Sequence, residues 1–232
     1  MIKAVIFDFD HTLYDRDATY EAFSDVFAGE LSRELDPSLS RAELIARLQD
    51  CDRRGVYIGG WRSTFDLSVE SGIFREPPSY ERYMEVIRGK FSASITLFDD
   101  TLATLEQLKC MGLRLGILTN GYIRYQRDKL SHTPEIIPFF EHITVSEEIG
   151  FQKPSPHAFL HMCERFGIMP HEAMYVGDHP VNDVCGARSI GMIPVWMRYI
   201  EQFPKHITPP PYMIDRLSEL PKILNDLNKK EA

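Results

Sequence analysis

Short apolar runs recur along this chain at Lys3–Phe9, Leu113–Leu118, His142–Val145, Ala173–Val176, Met192–Trp196 and Tyr212–Ile214, and segments of helical periodicity separate most of them. Runs of this length without strict apolar–polar alternation suit strands covered on both faces, as in a parallel sheet. The helices between them have readable ends. Asp99 or Asp100 precedes a helix with Leu102, Leu105 and Leu108 at helical spacing, and Gly112 follows its end. Ser155-Pro156 places a capping hydroxyl before a proline at the first helical position. Ala158, Phe159, Met162, Cys163 and Phe166 then share one face, and Gly167 closes the segment. Leu217, Leu220, Ile223, Leu224 and Leu227 repeat the pattern near the C-terminus. Strand and helix alternate, which predicts an α/β fold on a parallel sheet with right-handed crossovers.

One segment breaks the alternation. Between Asp15 and Ser92 the chain shows helical patterns, such as Tyr20, Phe23, Val26, Phe27 and Leu31, or Leu44, Ile45 and Leu48, and no convincing strand. The expected organisation is therefore a core from residues 1–14 and 93–232, with residues 15–92 as a helical insertion. Gly55, Gly59, Gly60 and Pro77-Pro78 mark loops within it, and the stretch Arg53–Arg62 reads as a loop of cations, aromatics and glycines. A length of 232 residues accommodates one core and such an insertion.

The balance of 34 acidic against 26 basic residues, a net charge of -8, disfavours a broad nucleic-acid surface. No apolar stretch is long enough to span a bilayer, and the N-terminal apolar run is too short for a signal sequence and ends in acids. Cys51, Cys110, Cys163 and Cys185 are scattered, without zinc or disulfide spacing. The expectation is a cytoplasmic protein with reduced thiols and no membrane partner; oligomeric state is left open. His157 and His161 stand four apart on a helix, but no third ligand accompanies them, so they read as a solvated face.

Chemistry concentrates where the apolar runs end. Phe7-Asp8-Phe9-Asp10-His11-Thr12-Leu13 puts two carboxylates two residues apart after the first run, where they repel unless a cation lies between them. In open α/β sheets, ligands bind at the carboxyl ends of strands. The second run ends in Thr119-Asn120-Gly121, a hydroxyl, an amide and a permissive backbone able to cradle phosphate oxygens. Lys153-Pro154 follows the third. The fourth runs into Val176-Gly177-Asp178-His179-Pro180-Val181-Asn182-Asp183, adding two acids of the kind that hold Mg²⁺.

Taken in this order, Asp-x-Asp-x-Thr, a later Thr, a Lys and Gly-Asp-x-x-x-x-Asp resemble the haloacid dehalogenase superfamily. The resemblance implies a Rossmann-like core with a helical cap inserted after the first motif, and a Mg²⁺-dependent phosphatase acting on a small phosphorylated metabolite. By this resemblance Asp8 is the nucleophile, forms an aspartyl-phosphate and ligates Mg²⁺. Asp10 is general acid and base, and its backbone carbonyl joins the metal. Thr12 supports that loop beside the substrate; Thr119 and the backbone around Asn120 hold phosphoryl oxygens. Lys153 neutralises charge at Asp8, and Asp178 and Asp183 complete the metal site. Arg54 and Trp61 are candidate substrate contacts from the cap. The dehalogenase branch lacks an acid at the position of Asp10. The phosphonatase branch needs a cap lysine, and residues 15–92 hold only Lys90. A phosphomutase or a non-catalytic phosphate-binding regulator are the alternative readings.

Overall fold

The computed structural model describes residues 1–58, 60–198 and 202–230. In chain order it contains β1 (Ala4–Phe7), β2 (Tyr14–Asp15), α1 (Arg16–Glu30), α2 (Arg41–Ile58), α3 (Trp61–Glu70), α4 (Tyr80–Val86) and β3 (Thr96–Leu97). There follow α5 (Thr101–Cys110), β4 (Arg114–Thr119), α6 (Ile123–Ser131), β5 (His142–Val145), α7 (Ser146–Ile149) and α8 (Pro156–Phe166). The chain ends through β6 (Ala173–Gly177), α9 (Gly186–Ser189), β7 (Ile193–Met197), β8 (Tyr212–Ile214) and α10 (Leu220–Lys230). It divides into two compact units: Met1–Tyr14 with Leu97–Ala232, and Asp15–Thr96. The return to the first unit falls at residue 97, against 93 as read from the sequence. The short strands β2 and β3, unread in the sequence, mark the two crossing points and form a sheet of their own.

The larger unit is an α/β core. Its six strands lie in the order β5-β4-β1-β6-β7-β8, paired in parallel throughout. Strand β1 sits in the middle, with Ala4 opposite both Arg114 and Ala173, and Phe7 opposite Ile117 and Val176. All four of its residues are fully buried, which is why the run shows no alternation. Helix α8 buries Ala158, Phe159, Met162, Cys163 and Phe166. Burial of each large side chain is worth about 1.5–3 kcal/mol. Gly167, in the left-handed conformation, ends the helix.

Two capping expectations change in detail. Ser155 occupies the N-cap of α8, but its hydroxyl makes no capping bond. Asp100 stands at the N-cap of α5, yet its carboxylate accepts from the Ser218 N–H at 2.9 Å and so ties the start of α5 to the C-terminal segment.

The helical unit, residues 15–96, packs around Tyr20, Phe23, Phe27, Leu44, Leu48, Phe65, Tyr83 and Phe91. Phe23 meets its neighbours edge to face, with centroids 5.7 Å apart for Phe23–Phe27 and 5.4 Å for Phe23–Phe91. Arg16 and Asp52 form a buried ion pair (Nε to Oδ2 2.8 Å), and the Tyr20 hydroxyl donates to Asp52 at 3.0 Å. Additional hydrogen bonds of this kind are what make a desolvated pair tolerable.

The loop expected over Arg53–Arg62 is instead the end of α2 and the start of α3; Gly59 and the side chain of Tyr57 lie outside the described residues. Gly55 is helical. A Cβ there would lie 2.4 Å from Thr64 Oγ1 and 2.7 Å from Thr64 Cα, so this glycine permits α2 and α3 to approach closely rather than marking a turn. Among the described residues no helix is long and apolar enough to cross a membrane.

Candidate active site

Adjacent strand ends deliver the motif residues. Asp8 directly follows β1, and its N–H extends the pairing by donating to the Val176 carbonyl at 2.8 Å. Thr119 closes the neighbouring β4, and Asp178 follows β6 on the other side. Lys153, from the loop before α8, donates from Nζ to Asp8 Oδ1 at 2.7 Å, to Asp183 Oδ1 at 2.7 Å and to the Tyr175 hydroxyl at 2.8 Å. Three acceptors thus match the three hydrogens of the buried ammonium.

The Lys153 loop is pinned to the end of β4. Asn120 Nδ2 donates to the Lys153 carbonyl, and the Lys153 N–H donates to Asn120 Oδ1, each at 2.8 Å. The Asn120 side chain is therefore a clasp, and this residue offers a ligand its backbone rather than its amide. Asp183 is fixed from both sides, by Lys153 on Oδ1 and by the His179 N–H on Oδ2 at 2.8 Å. The His179 ring accepts from the N–H groups of Val181 and Asn182, each at 3.1 Å, which places its own proton on Nε2. Burial holds this histidine below its ordinary range. Trp196 donates to the Asp178 carbonyl at 2.6 Å and so anchors that loop.

Asp8, Asp178 and Asp183 are buried, and one carboxylate oxygen of each lies within 4.8 Å of the others. Burial pushes the Asp8 carboxyl up to about 7; Lys153 opposes this, while Asp183 and Asp10 add to it. Burial disfavours the charge on Lys153, yet Asp183 and Asp8 outweigh it and hold the ammonium well above its usual range. Lys153 meets two of these three buried acids, Asp8 and Asp183, and the donors of the cluster are all hard oxygens. That set fits a small divalent cation such as Mg²⁺, which restores the charge balance.

Asp10 is bound by donors that the sequence did not single out. Its Oδ1 accepts from Lys129 Nζ at 2.6 Å and from the Tyr14 hydroxyl, and its Oδ2 accepts from Gln126 Nε2 at 2.8 Å. Between Asp10 and Thr12 the chain turns through His11, whose φ of 59° is left-handed. Thr12 is fully buried.

Arg54 and Trp61 belong to the other unit. Arg54 pairs with Asp50 one turn earlier on α2, at 3.0 Å. Trp61 packs its ring 5.4 Å from that of Phe91, and the Arg16 guanidinium lies 5.3 Å over it. Trp61 is partly buried and packs against the helical unit's core.

A parallel sheet whose central strand ends carry a lysine-linked carboxylate cluster marks an α/β protein with a site for charged ligands at that edge. A family model described as haloacid dehalogenase-like hydrolase matches residues 5–197. The chain belongs to that family. It is 34% identical over 235 residues to the glyceraldehyde 3-phosphate phosphatase of Methanopyrus kandleri, covering 99% of this chain and all of the relative. Among solved structures, the haloacid dehalogenase-type phosphatase of Thermococcus onnurineus is 29% identical, with a TM-score of 0.62 over 96% of this chain and 98% of that one. The hydrolase YfnB of Bacillus subtilis, solved with magnesium, shares the fold with a TM-score of 0.74 at 24% identity, covering 97% and 99% of the two chains.

Proposed function

We propose that this protein is a Mg²⁺-dependent phosphomonoesterase that works through an aspartyl-phosphate on Asp8. The chain is a phosphatase, and phosphatases of small phosphorylated metabolites are its relatives over the full length. The observation that carries the finer reading is the Lys153 ammonium, 2.7 Å from Asp8 within a cluster of buried acids.

A carboxylate approaching a phosphate ester meets charge repulsion, and the site's cations reduce it. When bound by Asp8, Asp178 and the Asp10 carbonyl, with Asp183 beside them, Mg²⁺ supplies Lewis-acid stabilisation of the phosphoryl oxygens. Lys153 keeps Asp8 oriented and shares its charge. The Thr119 hydroxyl and the backbone at Asn120 hold the transferring group. In the first step an Asp8 oxygen bonds to phosphorus, the ester P–O bond breaks, and Asp10 gives its proton to the leaving oxygen. In the second step water attacks phosphorus, Asp10 takes the water's proton, and inorganic phosphate leaves Asp8. Dividing the hydrolysis in this way lowers each barrier. Choice among leaving groups falls to the helical unit, with Arg54 as a contact for anions.

The test is phosphate release from a panel of phosphorylated metabolites, glyceraldehyde 3-phosphate included, with and without Mg²⁺. Asp8→Asn, which keeps size and removes the nucleophile, should fall to background, and beryllium fluoride should bind only the parent protein with Mg²⁺. Full turnover in a folded Asp8→Asn protein would sink the covalent mechanism.

A further inference from the structure

Helix α6 exposes Arg124 and Arg127 but buries Gln126 and Lys129. Three residues apart, these two share one helical face. A buried ammonium is unfavourable unless paired, and Lys129 Nζ meets Asp10 Oδ1 at 2.6 Å. Gln126 Nε2 lies 2.8 Å from Asp10 Oδ2, 2.8 Å from Thr119 Oγ1 and 2.7 Å from the Asn120 carbonyl. All three acceptors are parts of the proposed active site. The orientation of the amide follows from them, since a carboxylate and a carbonyl both require a donor.

The helix carrying these donors, and the turn before it, are themselves held by α7. The Ile123 N–H donates to Glu147 at 2.6 Å, Arg127 donates to Glu148, and the Gly121 N–H donates to Ser146 Oγ at 3.0 Å. Its anchorage is thus independent of Asp10. We propose that Gln126 and Lys129 are positioning residues that hold the Asp10 carboxylate and couple it to the phosphate cradle at Thr119–Asn120. The inference rests on the reading of Asp10 as acid and base in the phosphatase reaction. Both Asp10 oxygens accept here, which holds the carboxylate in the form that takes the water's proton; giving a proton to the leaving oxygen requires one of these donors to be released.

The experiment compares two esters on the full-length protein with Mg²⁺. An alkyl phosphomonoester such as glycerol 3-phosphate needs a proton on its leaving oxygen, whereas p-nitrophenyl phosphate releases a stable phenolate. Because kcat/KM reports steps through departure of the alcohol, it isolates the first half-reaction. Asp10→Asn should raise the ratio of aryl to alkyl kcat/KM, and Gln126→Met and Lys129→Met should raise it in the same direction, by at least tenfold over the parent. Measured on one preparation, this ratio does not depend on the fraction folded. Lys129→Gln replaces Lys129→Met if the latter fails to accumulate. A residue whose variant leaves the ratio unchanged, while Asp10→Asn shifts it, supports the fold only, and its assignment is overturned. If Asp10→Asn leaves the ratio unchanged, the acid role itself fails and the inference with it. A parent that hydrolyses neither these esters nor any member of the metabolite panel would overturn the phosphatase reading first.

Discussion

Tyr175 accepts a hydrogen bond from Lys153 at 2.8 Å and donates one from its own hydroxyl to the Leu118 carbonyl at 2.9 Å. One phenol on β6 thereby ties the site's ammonium to the backbone of β4, the strand on the other side of β1. Burial holds the phenol well above its usual range, with Lys153 opposing and Asp183 and Asp8 adding to the effect, so it stays protonated at neutral pH. Tyr175→Phe removes an acceptor from a charged group, a loss worth about 1.5–3 kcal/mol. We expect kcat/KM to fall roughly 10- to 150-fold on that scale. In a Lys153→Met background the same change should cost less than about twofold, because residues acting through one another are not additive. An undiminished cost in the double variant would assign Tyr175 to fold support alone.

The reach of the sequence is set by what a residue type signals without its neighbours. Asp8, Asp10 and Asp178 were readable because carboxylates closing apolar runs are out of place unless they bind something. The sheet was readable because strands covered on both faces, such as β1, lack alternation. Tyr175 gave no signal: a single aromatic inside a buried strand looks like core. Gln126 and Lys129 were hidden for the opposite reason, since polar residues on a short helix look solvated until the tertiary contacts are known. Gly55 misled because glycine marks both turns and close helix crossings, and only the Thr64 backbone beside it tells which.

Metal dependence should separate Asp178 from Asp183. Both oxygens of Asp183 are engaged, by Lys153 and by the His179 N–H, so its loss disturbs the lysine first. Asp178→Ala should therefore raise the Mg²⁺ concentration needed for half-maximal activity more than Asp183→Ala does, and Asp183→Ala should mainly lower kcat. Chelation should abolish turnover of the parent, and added Mg²⁺ should restore it. Hydrolysis that persists undiminished in excess chelator would rule out the metal assignment.

Arg54 and Trp61 should part company in a thermal melt. The Arg54–Asp50 pair is exposed, with the arginine side chain 57% accessible, and solvent-screened pairs of this kind add little to stability. Arg54→Ala should leave Tm within about 2 °C of the parent. Trp61→Ala removes a ring packed on Phe91 and Arg16 and should lower Tm by about 4–10 °C, from a loss near 2–3 kcal/mol in a chain of this size. If Arg54 contacts substrate, its variant reorders the panel by kcat/KM while keeping Tm. An unchanged order would remove it from the binding surface.

Gly177 offers a test of how tightly the acid cluster is built. It ends β6, and a Cβ at this position would lie 2.4 Å from Asp183 Cγ and 2.5 Å from Oδ2. No carboxylate can occupy that space beside a methyl group, so Gly177→Ala must displace Asp183. Displacement breaks both of its hydrogen bonds, including the one that holds Lys153 beside Asp8. Overpacking of this kind costs about 1–3 kcal/mol of stability. The larger effect should be on turnover, with kcat falling at least as far as in Asp183→Ala, because Lys153 loses its second carboxylate while Asp183 remains as an ill-placed charge. Gly89→Ala is the control: its methyl group meets nothing within 4 Å, and both kcat and Tm should stay near the parent values. Near-normal kcat in Gly177→Ala would mean that the Lys153–Asp183 pair is dispensable, and that Asp8 is oriented by the lysine and Tyr175 alone.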